Sequence, residues 1–135
     1  AAEVLAKALN QFFQECNQTK YIHETPAEQL SVEEIDRFKS QNILGRSIGL
    51  ELLGRLFYYC YHPSIPQFDP EKITQLSYID WSRNSMLWQG NIILPPDDPN
   101  NSKSSYKVST SATAVRIALE KVKQHLNWIE ETSKW

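Results

Sequence analysis

This 135-residue sequence predicts a mainly helical domain with a small two-stranded β element just before its last helix. Three observations carry that expectation. Apolar residues recur every three or four positions over three long stretches, the period of an amphipathic helix. Hydroxyl and acidic residues stand at the starts of those stretches, where helix caps belong. Between residues 88 and 109 the helical period gives way to two short β-type runs separated by a proline- and asparagine-rich turn.

The first stripe is Val4, Leu5, Ala8, Leu9, Phe12, Phe13 and Cys16, predicting a helix over about residues 2–17. A polar stretch follows. It contains two start signals, Thr25-Pro26-Ala27-Glu28 and Ser31-Val32-Glu33-Glu34, that predict one or two short helices up to Gln41. Asn42 is then expected to cap a long helix with Ile43, Leu44, Ile48, Leu52, Leu53, Leu56, Phe57 and Cys60 inward, ending near His62-Pro63. Glycine in a helix costs about 1 kcal/mol against alanine, so Gly45, Gly49 and Gly54 imply close backbone approach, with Gly45 and Gly49 read as a helix-packing notch. After a loop at His62-Pro63-Ser64-Ile65-Pro66, Asp69-Pro70-Glu71 supplies an N-cap, an N1 proline and a first-turn acid for a short helix bearing Ile73 and Leu76. Trp88–Leu94 and Ser105–Ser109 are the two strands. The last helix, capped at Thr110 or Ser111, turns Val115, Ala118, Leu119, Val122, Leu126 and Ile129 inward. Trp81 and Trp88 are expected at the edge of the core beside the sheet, each indole N–H finding a partner.

With 41% hydrophobic and 22% charged residues, the composition is that of an ordinary globular domain able to bury its own core. Only four glycines are present, and neither phosphate-binding glycine motif occurs. Cys16 and Cys60 fall within apolar helical patterns and read as reduced core thiols. His23, His62 and His125 are far apart and outside any metal-ligand spacing, and there is no G-x-S-x-G elbow. Asp97 and Asp98 are read as solvating their loop, and Asp80 as the acceptor of an Asx turn or the partner of Arg83. No catalysis, metal or cofactor is expected. Neither a signal peptide nor an apolar run of membrane-spanning length stands out, so a cytoplasmic protein without membrane contact is expected. The chain opens in mid-helix pattern without methionine, the expectation for a fragment of a longer protein.

Charge distribution singles out one region. The formal net charge is −2, yet Lys103, Lys107, Arg116, Lys121 and Lys123 face a single acid, Glu120, between positions 103 and 123. Lys103, Ser104, Lys107, Ser109, Thr110 and Ser111 lead into the last helix, whose start carries unpaired N–H groups and positive dipole. Lysines, hydroxyls and backbone donors together suit a phosphate, with Arg116 one to two turns further on. A serine-rich loop with an ordinary hydroxyl cap fits the same spacing, and Lys121 and Lys123 suit the dipole of the helix C-terminal half.

The runs Ile79-Asp80-Trp81-Ser82-Arg83-Asn84, Leu87-Trp88-Gln89-Gly90-Asn91-Ile92-Ile93 and Lys107-Val108-Ser109-Thr110-Ser111, followed by Val122-Lys123-Gln124-His125-Leu126, resemble the C-terminal part of DGQHR-domain, DndB-like proteins. Asn42-Ile43-Leu44-Gly45-Arg46-Ser47 fits the helix that precedes this part, and the likeness covers about residues 42–127. The D-G-Q-H-R string itself is absent, as expected of a segment lying after that domain. The resemblance implies a regulator of DNA phosphorothioation that binds DNA and does not itself install sulfur. The alternative is a module that docks other modification proteins or a second copy of itself, through Tyr58-Tyr59-Cys60-Tyr61 and the Gly45/Gly49 notch.

Overall fold

The computed structural model describes residues 2–95 and 107–128. The turn-rich stretch 96–102 with Asp97 and Asp98, Lys103, Ser104, the first residues of the second predicted strand, and Ile129 lie outside the described residues. The fold is mainly α. Among the described residues the helices are α1 (Ala2–Glu15), α2 (Lys20–Glu24), α3 (Val32–Gln41), α4 (Ser47–Tyr58), α5 (Pro70–Tyr78) and α6 (Ala112–His125). Two antiparallel ribbons accompany them, β1 (Tyr61–His62) with β2 (Gln67–Phe68) and β3 (Ile93–Leu94) with β4 (Lys107–Val108). No helix of the described residues is long and apolar enough to cross a membrane.

Local chemistry explains four of the helix starts. Ser31 accepts from the Glu34 N–H at 3.0 Å while Glu34 accepts from the Ser31 N–H at 3.1 Å, a complete capping box for α3. Asp69 accepts from the Glu71 N–H at 2.9 Å, with Pro70 opening α5. Ser111 accepts from the Ala114 N–H at 3.0 Å and caps α6. Asn42 accepts from the Leu44 N–H at 2.8 Å, but the element it caps is a single 3-10 turn, Ile43–Gly45.

The long helix expected from Asn42 onward is therefore broken. Arg46 is extended, with φ −119° and ψ 150°, and α4 starts afresh at Ser47. The cause is tertiary. The Ile43 N–H bonds the Trp81 carbonyl at 3.0 Å and the Arg83 N–H bonds the Gln41 carbonyl at 2.9 Å, so residues 41–43 pair with 81–83. Gly45 and Gly49 make the resulting bend possible. A Cβ on Gly45 would lie 2.7 Å from Lys39 Cα, and one on Gly49 would lie 1.9 Å from the Ile43 carbonyl oxygen. The notch is thus filled by the chain's own preceding turn rather than by another helix.

Three smaller departures have equally local causes. The polar stretch after α1 contains α2, because Thr19, 4% exposed, satisfies the Phe13 and Cys16 carbonyls and turns the chain. Thr25 closes α2, bonding back to the Tyr21 carbonyl at 2.6 Å, and only a 3-10 turn, Ala27–Gln29, follows Pro26. The loop around Pro63 and Pro66 is the tip of the β1–β2 hairpin, held by Tyr61 against Phe68 at 5.1 Å and by the Asp69 N–H bonding the Cys60 carbonyl at 2.7 Å.

A continuous core joins Phe12 of α1, Leu52 and Leu56 of α4, Ile73 and Leu76 of α5, and Val115 and Val122 of α6, with α4 packed on α6 and α1 on α5. Trp81 and Trp88 lie at its centre, not at its edge. Both are 0% exposed and stack at 5.3 Å, with Phe12 edge-on to Trp81 at 5.7 Å. Their N–H groups donate to the Leu76 and Asp80 carbonyls at 2.9 and 3.0 Å. Cys16 and Cys60 are buried thiols outside any disulfide, the Cys60 Sγ donating to the Leu56 carbonyl at 3.4 Å.

Candidate nucleic-acid interface

The β3–β4 ribbon delivers the chain to α6. Ile93 pairs with Val108 and Leu94 with Lys107, so the two strands anticipated from sequence pair over their last and middle residues. Gly90, at φ +83°, makes the tight turn that feeds β3, and Ile93 N–H closes on the Trp88 carbonyl at 2.9 Å. On leaving β4 the Ser109 N–H donates to the Ile92 carbonyl at 2.7 Å, fixing the approach to the helix.

Of the predicted phosphate-contacting residues, Lys103 and Ser104 lie outside the described residues. Lys107 is exposed on β4, Thr110 is exposed one residue before the cap, and Arg116 is exposed on the outer face of α6. Ser109 and Ser111 are brought together: the Ser109 hydroxyl donates to Ser111 Oγ at 3.2 Å and accepts from the Ser111 N–H at 3.2 Å. Ser111 Oγ also accepts from Ala114. These two hydroxyls therefore serve the cap first, and what they leave for an anion is the Ser111 hydroxyl proton beside the Thr110 hydroxyl.

Lys123 departs from the surface role expected of it. It is 6% exposed, its Nζ lying 4.4 Å from the Tyr59 ring centroid and 3.5 Å from Glu120 Oε1. A buried ammonium needs such partners. Its charge is thus spent within the fold and does not add to the basic face.

Asp80 is the acceptor of an Asx turn, its Oδ1 receiving the Ser82 N–H at 2.9 Å and Gln18 Nε2 at 2.6 Å. Partial burial pulls its carboxyl upward, but the hydrogen bonds from Ser82 and Gln18 outweigh that and hold it below the usual aspartate value. Among the described residues no group of three His, Cys, Asp or Glu side chains is placed to hold a metal ion.

One feature went unread in the sequence. The outer half of the first apolar stripe, including Val4 and Leu5, faces Leu50, Gly54, Tyr58 and Tyr61 across an open apolar groove of about 940 Å³. The stripe was legible, but periodicity does not tell which part of a wide apolar face is covered.

A family model described as DndB, DNA-sulfur modification-associated, matches residues 2–129. The chain belongs to the DndB family. The match extends the likeness seen around residues 42–127 across α1, α2 and α3 as well, and it ties this DndB-family chain to DNA sulfur modification. No curated protein and no solved structure matches it.

Proposed function

We propose that this chain is a DNA-binding, regulatory module of a DNA phosphorothioation system, contacting DNA phosphates through Lys103, Ser104, Lys107, Ser109, Thr110, Ser111 and Arg116. The observation that carries the reading is the exposure of Lys107, Thr110 and Arg116 around the capped start of α6, on a chain whose net charge is −2. Membership of a family tied to DNA sulfur modification supports DNA as the polyanion. Such a surface works by displacing counterions from phosphates, and it positions the protein on the duplex without reading bases. The module transfers no sulfur itself, takes no cofactor, and acts in the cytoplasm.

The test is a salt titration of DNA affinity with the full-length protein. Three or four phosphate contacts give a log–log slope of roughly −3 to −4. Replacing Lys103 and Lys107 by Ala should weaken binding to all sequences about equally and make the slope shallower by about two. Unchanged affinity and slope in that double variant would remove the loop from the interface.

A second reading, a module that docks another modification protein or a second copy of itself, is favoured by the groove between α1 and α4. Leu5, Leu50 and Tyr58 are 43%, 48% and 54% exposed there and line one continuous apolar groove. The Gly45/Gly49 part of that alternative falls away, because those glycines are packed from within. Sedimentation of the full-length protein with and without Leu50→Glu separates the readings: self-association that disappears on substitution favours docking.

A further inference from the structure

We propose that a second phosphate anchor of this chain is built by Lys39, Arg46 and Arg83, on the face of the β3–β4 ribbon opposite Lys107. The inference rests on the DNA-binding reading above and adds a set of residues that it does not use. The three cations come from the end of α3, the extended link before α4 and the segment after Trp81, and they line one small depression floored by Ile93 and Val108. Ile93 and Val108 are directly paired, so both point to this side, while Lys107 and Leu94 point to the other.

The cluster is held in place by backbone bonds. Arg46 Nε donates to the Lys39 carbonyl at 3.2 Å, and the Arg83 N–H and carbonyl are engaged by Gln41 and Gln89 at 2.9 and 2.8 Å. Among the described residues no acidic side chain lines the depression, and neither Lys39 nor Arg46 has a carboxylate partner. A role at the helix end accounts for Lys39 alone. It does not account for guanidinium groups arriving from two other segments.

Size selects the ligand. The depression is small, about 30 Å³, room for a few water-sized groups. That is too little for a buried base or nucleotide, and with a cationic and polar rim it suits the oxygens of a backbone phosphate lying on the surface.

The test uses the full-length protein and a random-sequence duplex, titrated between low and moderate salt, with thermal melts as a folding control. Lys39→Gln with Arg46→Gln should weaken binding to all sequences alike and make the log–log slope shallower by about 1.8, at about 0.9 for each phosphate no longer neutralised. Lys39→Gln alone leaves the Arg46 bond to the backbone intact and should move the slope by about half as much, while Lys39→Arg should bind as wild type. If Lys103→Ala with Lys107→Ala weakens binding but the Lys39 and Arg46 variants do not, this anchor is overturned and the loop reading stands. If the reverse holds, the anchor stands and the loop reading falls. Absence of any DNA binding by the wild-type protein overturns both.

Discussion

Gly49 and Gly54 lie five residues apart on the same helix, yet alanine should have opposite effects at the two positions. At Gly54 a Cβ meets nothing within 4 Å, so Gly54→Ala should gain the helix propensity of alanine, about 1 kcal/mol. At Gly49 the same gain is overwhelmed. The new Cβ would lie 1.9 Å from the Ile43 carbonyl oxygen, against ordinary contact at 3.4 Å or more, so the turn must move by about 1.5 Å. That turn cannot move freely, because the Ile43 N–H is bonded to the Trp81 carbonyl and Asn42 caps Leu44. Overpacking of this kind typically costs about 1–3 kcal/mol, and breaking the bond to Trp81 adds about 1 kcal/mol, so a net loss of about 2 kcal/mol or more is expected after the propensity gain. Urea denaturation followed by tryptophan emission measures both, since Trp81 and Trp88 are buried beside the turn. Equal stability of Gly49→Ala and Gly54→Ala would refute the reasoning, for it would mean that the 3-10 turn does not press on α4.

Leu119→Ala should cost roughly 2–5 kcal/mol, since Leu119 belongs to the buried face by which α6 packs on α4; a loss well under 1 kcal/mol would make α6 peripheral. For Asp80 the folded carboxyl titrates below its unfolded value, so its stabilising contribution is present above about pH 4 and fades as pH falls through the lower folded value. Asp80→Asn should accordingly lower the melting temperature at pH 7, with the gap to wild type closing in acid; a gap that does not change with pH would deny the shift. Emission from Trp81 and Trp88 should respond little to added oligonucleotide, because a stacked, fully buried pair offers no face to a base. Cys16 and Cys60 should react with a thiol reagent only upon unfolding, and rapid labelling of the native protein would contradict their burial.

Elements whose cause is a few residues long were legible in the sequence. The Ser31/Glu34 box, the Asp69-Pro70-Glu71 start and the Ser111 cap each act across two or three positions, and the structure places α3, α5 and α6 behind them. The two short β-type runs around Ile93 and Val108 likewise marked a ribbon, and the short runs near Trp81, Trp88 and Ser109 were enough to point to the family that the chain belongs to. What the tertiary structure alone decided involves partners far along the chain. Residues 41–43 pair with 81–83 and interrupt an apolar period that continues through the break, because period records which side is buried and not whether the backbone is continuous. Lys123 looked like a surface cation until Tyr59, from the end of α4, covered it. Lys39, Arg46 and Arg83 carry no common motif, and meet only because that same pairing of 41–43 with 81–83 brings α3 to the β3–β4 ribbon. Caps and periods are short-range interactions written in adjacent residues, whereas the place where two distant segments exchange backbone hydrogen bonds is set by the packing of the whole core.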